Sequence, residues 1–325
     1  MKQIVSFIII IFAVYPHTFA QDINFSHLNH SRLFINPGFA GSEKISNLTV
    51  SHRNLSPANF GNYLTYKASY NQFVDFINGG LGLQFVSDNQ GNGAINRTYL
   101  SGIYSYRIRL KRNLFLSPAL ETKYAMYSLD TRELVFPEMF EKSNWTLREP
   151  GNPPIEPQSS NYLEFNTGIV LRYINEYLRT YRDLTIGLAV HHLNKPTSLL
   201  NEGSRISRKF SAYFDIELFL NYMDSYRSST ILIPTFFYSQ QQNTDFFQYG
   251  TYIKYKSLIL GGFIKHNINF RFITPTFQVG VNYENFNISY SYDAGFLNYK
   301  KVSIFSGAHE VTLSLNFSIK GINEQ

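Results

Sequence analysis

Histidine is the side chain best placed for acid–base or metal chemistry near neutral pH. His27 and His30, in "HLNH", have the i, i+3 spacing that metal ligands on a helix use. No third ligand stands near them, and the stretch has no helical stripe. His191 and His192 are adjacent, so a regular strand sends their rings to opposite faces. Both then cannot hold one ion, and girdle or rim positions suit them better. His266 and Asn267 have serines to work with, but nucleophilic catalysis needs a hydroxyl set against a histidine that a third group orients. No Gly-x-Ser-x-Gly or other local constellation supplies that arrangement. The glycine clusters "GNGAIN", "FINGGLGL" and "LGGF" lack the Lys-Ser/Thr pair of a phosphate loop. They read as turns and close strand approaches. "REPGNPPIEPQ", Arg148 to Gln158, reads as an exposed loop tip. The chain has no cysteine, which removes disulfides, thiolate metal sites and a lipid anchor on cysteine. The chemistry-bearing residues therefore predict no catalytic residue, no cofactor and no metal site.

The elements that carry these residues are strands. Period-2 alternation recurs along the chain. In "VTLSLNF", Val311, Leu313, Leu315 and Phe317 face one way, and Thr312, Ser314 and Asn316 the other. "FNISYSY" and "TFQVGVNY" behave the same way. So does "LEFNTGIVLRY", with Glu164, Asn166 and Arg172 on its polar side. About 14 candidate strands follow, near 44–53, 62–71, 79–88, 96–109, 113–127, 161–174, 183–192, 208–220, 228–239, 246–256, 257–266, 272–283, 285–293 and 309–318. The best run about 9–12 residues, the length a tilted strand needs to cross a bilayer.

Composition agrees. Aromatics make up 17% of the chain, with 24 Tyr and 29 Phe, while charged residues make up only 16%. Residues 1–20 read as a secretory signal peptide: Lys2, an apolar Ile4–Val14, Pro16, then a small residue at Ala20. That apolar run is about 11 residues, and a membrane helix needs about 20. An exported chain rich in Tyr and Phe, without apolar helices, points to an all-β transmembrane antiparallel up-and-down barrel in the outer membrane. Connection lengths support it. Long connections follow strands 5, 7 and 13, and short ones such as "LKR" and "EN" alternate with them. That pattern places 128–160 outside the cell and both termini in the periplasm. The chain then divides into a leader at 1–20, an N-terminal periplasmic or lumenal segment at 21–43, a barrel at 44–318 and a tail at 319–325. The apolar face meets lipid. The other face carries Arg107, Arg109, Glu121, Lys123, Glu164, Arg172, Asp215, Glu217 and Lys254 into the lumen, where mixed charges can pair. The 29 Lys and Arg against 23 Asp and Glu are scattered, with no basic stripe for nucleic acid.

"QDINFSHLNHSRLFINPGFAGS", Gln21 to Ser42, fits neither period. Asn36 precedes a proline and is held extended, and Gly38 and Gly41 permit tight bends. The segment resembles the mature N-terminus of the PorP/SprF family of Bacteroidota outer-membrane proteins, at Gln21, Asp22, Phe25, Ser26, Asn36, Pro37, Ala40, Gly41 and Ser42. Gly38 stands where the family usually has Ala, and His27 where Gln is usual. "GGLGLQFVSDNQGNG", with Gly80, Gly82, Phe85, Asp88 and Gly91, resembles a further family segment. "YSYRIRLKRNLFLSPALETKY" and "GTYIKYKSLILGGF" resemble its hairpins. The resemblance implies a non-enzymatic component of the type IX secretion system. It further implies a secreted cargo protein as partner, such as a gliding adhesin or a protein with a type B C-terminal domain, together with other secretion components. Phe25, Ser26, Asn36, Pro37, Gly38 and Gly41 are the expected partner-binding or lumen-sealing residues. An outer-membrane porin or solute channel is the alternative.

Overall fold

The computed structural model describes residues 22–57, 63–91, 93–133, 156–175, 181–197, 205–220, 230–270, 272–299 and 302–317. The leader at 1–20, the tail at 319–325 and the loop tip that begins at Arg148 lie outside these residues, the loop tip up to residue 155.

No water in hydrocarbon can satisfy a free N–H or C=O, so a membrane-crossing sheet must close on itself. This one does. The strands are β1 Ser46–Pro57, β2 Tyr63–Val74, β3 Gly79–Gln90, β4 Ile95–Tyr106 with its continuation Ile108–Lys111, β5 Leu114–Leu129, β6 Gln158–Ile174 and β7 Tyr181–His191. They continue as β8 Lys209–Phe219, β9 Thr230–Gln241, β10 Thr244–Tyr255, β11 Leu258–His266, β12 Ile273–Tyr283, β13 Phe286–Tyr299 and β14 Val302–Phe317. Each pairs antiparallel with its neighbours in sequence. β1 and β14 close the ring, in register from Ser46↔Phe317 to Pro57↔Ser306. The result is a closed 14-strand barrel. A bulge near Arg109 and Lys111 bends the end of β4. All 14 strands coincide with the segments that alternation marks.

Which face meets lipid follows the alternation. Leu313 is 40% exposed on the outside, while its neighbour Thr312 is fully buried inside. Phe277, Val279 and Val281 are outside, with Thr276 and Gln278 within. Eight of the nine expected lumen charges line the interior or its mouths. Arg109 does not: it is exposed at the bent end of β4, where its guanidinium reaches the carbonyl of Arg112. The third expected long connection, "DAGFLNYKKVSIFSGA", is also corrected. Backbone pairing of β13 with β14 runs on to Tyr299↔Val302, so most of that stretch is an extended hairpin. Its residues alternate poorly but still pair by backbone.

The core of the molecule is its lumen. Residues 22–45 do not join the sheet. They thread the barrel with three short helical turns, Asn29–Ser31, Arg32–Ile35 and Pro37–Phe39. The sequence gives no helical stripe here because a four-residue turn cannot display one; contacts with the wall hold it. Three buried apolar clusters all join this segment to inward-facing strand residues. Asp22 stands at the long-loop end, donating its backbone N–H to Gln241 at the tip of β9, 3.3 Å away. Gly41 lies at the short-turn end, its N–H 3.3 Å from the Asn71 side-chain oxygen. Asp22 and Phe317 therefore stand at opposite ends of the barrel.

This threading is testable on cells. An epitope inserted ahead of Asp22 should become accessible together with a thiol at Asn243→Cys, in the β9–β10 turn. A thiol at Asn285→Cys, in the β12–β13 turn, should react only from the other side of the membrane. An epitope that tracks with Asn285→Cys would contradict the path.

Candidate functional site

The segment is held at three levels, and each begins with a residue type suited to its task. Midway through the lumen, every polar group of Ser26 is used. Its N–H donates to Glu310 Oε2 at 2.7 Å. Its carbonyl accepts from Gln248 at 2.9 Å and Gln278 at 2.8 Å. Its hydroxyl donates to Asp293 Oδ2 at 2.6 Å and accepts from Lys265 at 2.9 Å and from Arg53. Around it, Arg53 and Lys265 pair with Asp293 at 2.9 and 2.7 Å, and Arg53 also reaches Glu310 at 3.4 Å. Two cations and two anions balance. Removing one member of such a buried set costs about 3–5 kcal/mol, since the rest stays behind uncompensated. The geometry does not make Ser26 a nucleophile. The side chain is fully buried, and the adjacent lysine is ion-paired rather than free to take a proton.

Phe25 and the helical turn are gripped by β2. Lys67 lies 4.2 Å from the centre of the Phe25 ring. It also donates to Ser31 Oγ at 2.6 Å and to the His30 carbonyl at 3.2 Å. Phe25 meets Phe34 edge-on at 4.9 Å. Arg32 ties the turn to Asp215 at 2.6 Å and to Glu43 at 2.9 Å.

Asn36 docks on β6 and β7. Its amide donates to the carbonyls of Ile169 and Leu188, at 3.1 and 3.0 Å. Its side-chain oxygen accepts from the N–H of Gly38 at 2.8 Å. Its backbone is extended, as a residue before proline must be, and Pro37 starts the next turn. Gly38 is there for space: a β-carbon would sit 2.8 Å from the Ser117 carbonyl and 2.9 Å from Val170. Gly41 is there for conformation as well, with φ at +62° and a β-carbon that would fall 2.6 Å from Gly80. Leu28, Ile35 and Phe39 complete the seat by packing on Val170, Tyr213, Ile233, Phe237, Tyr252 and Phe263.

All six residues singled out in the segment are thus buried inside the barrel, with their groups occupied by its wall. Alternation misses two things. The first is the clamp around Ser26, whose partners, Arg53 apart, lie 222 to 284 residues away. The second is the apolar inner wall of β8–β11. A signal for the wall does exist: "TILIPTFFYSQ" is apolar on both faces, which marks a strand buried on both sides.

The histidines fall elsewhere than expected. His191 Nε2 lies 3.1 Å from the Ile35 carbonyl, and His192 Nε2 lies 2.9 Å from Asp22. Both rings face the segment, not the girdle, because His192 leaves the strand at φ +57° and so escapes the alternation. His192 Nδ1 stands 3.0 Å from Glu164. Burial alone would lower the pKa of His192, but Asp22 and Glu164 outweigh it and hold the value at about 9. Desolvation works against Asp22 too, yet His192 and Lys209 keep its carboxyl well below the usual range. His266 stacks between Phe247 and Phe270. Among the described residues no group of three His, Cys, Asp or Glu side chains is placed to hold a metal ion.

A family model described as "Type IX secretion system membrane protein PorP/SprF" matches residues 17–315. No curated protein sequence matches the chain. Among solved structures, the CymD monoaromatic hydrocarbon channel is 11% identical, with 90% of this chain and 93% of that one covered and a TM-score of 0.48. The TodX deltaS2S3 mutant monoaromatic hydrocarbon channel is 10% identical, with 87% and 92% covered and a TM-score of 0.46. The KdgM porin is 8% identical, with 84% and 99% covered and a TM-score of 0.38. These overlaps are similarities of outline and carry no functional argument.

The raised pKa of His192 has a sign that can be checked. A histidine whose pKa rises on folding stabilises fully below its unfolded value of about 6.5 and loses that contribution as pH rises through its folded value. A spin label at Asn24→Cys should therefore gain mobility as pH passes about 9. His192→Gln should give a label that is mobile already and shows no such step. Identical profiles in the two proteins would mean that His192 does not hold this end.

Proposed function

We propose, from the premise that this chain belongs to the PorP/SprF family of type IX secretion system membrane proteins, that it partners the export or surface anchoring of particular cargo proteins and conducts no solute. It is an outer-membrane β-barrel. The observation that carries the proposal is the filled lumen. A channel needs a continuous aqueous path, whereas here a segment bonded at Asp22, Ser26 and Asn36 crosses the interior. Its removal would bare the apolar patch on β8–β11 to water, at about 25 cal/mol per Å² of apolar surface. A polar clamp on one side and an apolar seat on the other favour a seal that stays in place. The seal is the proposed role of Phe25, Ser26, Asn36, Pro37, Gly38 and Gly41. The surfaces left for partners are then the two mouths. The cargo in view is an adhesin or a protein with a type B C-terminal domain, handled together with other components of the same export machine.

Cells that lack this protein should lose a defined subset of secreted or surface-attached proteins. Their uptake of small sugars and amino acids should match that of the parent strain. An unchanged set of secreted proteins with impaired solute uptake would make the barrel a channel instead.

A further inference from the structure

Beneath the segment, at the short-turn mouth, the barrel keeps a cavity of about 330 Å³. We propose that it binds an extended, uncharged stretch of polypeptide, recognised through its backbone amides. The wall chemistry makes the case. Its rim on β1, β2 and β12–β14 carries Asn47, Asn71, Asn282 and Asn316 with Ser69 and Ser289. A carboxamide both donates and accepts, as a peptide group does. Three of these amides use the acceptor and keep the donor. Asn71 Oδ1 accepts from Gly41, Asn316 Oδ1 from Asn47 at 2.7 Å, and Asn282 Oδ1 from Asn287. Their NH₂ groups have no acceptor among the described residues.

The charged lining residues answer one another. Arg172 pairs with Asp183 at 2.6 Å, Lys254 with Glu217 at 3.7 Å, and Arg32 with Glu43 at 2.9 Å. A charged ligand would meet a balanced wall and gain little. An apolar one would cover amide donors and leave them unsatisfied. A polyol has the right donors and acceptors, but its C–H faces need an open ring to stack on. Of the four rings in the lining, Phe39, Tyr252 and His27 are buried, and half-buried His30 meets His27 edge-on at 5.7 Å. A peptide backbone, with an N–H and a C=O at every residue, supplies both kinds of partner.

The inference deepens the partner reading and rests on it only for the origin of the peptide. The test uses the full-length barrel in nanodiscs with a fluorophore at Asn285→Cys, on the short-turn rim. The probes are an acetylated, amidated peptide of about 12 Ser, Asn and Gly residues, oligo-glutamate and oligo-lysine of the same length, and maltoheptaose. The neutral peptide should give a saturable response, and the other three none. Asn71→Leu with Asn282→Leu should weaken it about tenfold or more. A fluorophore at Asn243→Cys, on the opposite mouth, should stay silent. No saturable response to the neutral peptide, an equal response to maltoheptaose or a charged oligomer, or indifference to the leucine pair would overturn the assignment. A silent titration alongside a lost subset of secreted proteins in cells without the barrel would remove this site and leave the partner reading standing.

Discussion

Arg53, Lys265, Asp293 and Glu310 meet inside a barrel that crosses a bilayer, and one serine sits among them with its N–H, C=O and hydroxyl all engaged. Closing the sheet satisfies the strand backbones in lipid. It also creates an interior, and each strand sends every second side chain into it. Charges placed there are costly unless they pair and are hydrogen-bonded. Ser26 supplies bonds that the four charged groups cannot give one another. The clamp therefore does two things at once: it completes the charge network of the wall, and it fixes the segment at mid-lumen.

The opposite wall works by exclusion of water. β8 to β11 turn Tyr213, Ile233, Phe237, Tyr252 and Phe263 inward, and Leu28, Ile35 and Phe39 cover them. This apolar seat has little directionality, so it gives area but not register. Register comes from the directional contacts: Ser26 on one side, Asn36 on the carbonyls of β6 and β7, and Gly38 and Gly41 where the backbones come closest. The two kinds of contact together make the segment part of the native interior.

The barrel was legible in the sequence because a two-residue period survives any uncertainty in register. Leu313 and Thr312 lie on opposite faces wherever the strand begins. Eight lumen charges were legible individually; Arg53, Lys265, Asp293 and Glu310, which form the clamp, were not among those the alternation singled out. The pairing was not legible, although Arg53 opposite Glu310 and Lys123 opposite Glu164 are direct ladder neighbours once the register is known. The path of residues 22–45 could not be read. Ser26 bonds to Asp293, 267 residues away, and no local pattern encodes a contact of that span. His192 escaped for a local reason, a left-handed backbone at the strand end that reverses the face its ring meets. The end of β13 escaped because pairing there is carried by backbone rather than by alternating side chains.

The central claim is that residues 22–43 are as much a part of the folded barrel as its strands. Hydrogen–deuterium exchange on the membrane-embedded protein tests it most directly. The Ser26 amide donates to a buried carboxylate, and the amides of Phe39 and Ala40 close a turn against the wall. These amides should exchange as slowly as those of β6 and β14. Exchange at the rate of a free peptide, with the strands still protected, would show that the segment only visits the lumen and that the barrel is open without it.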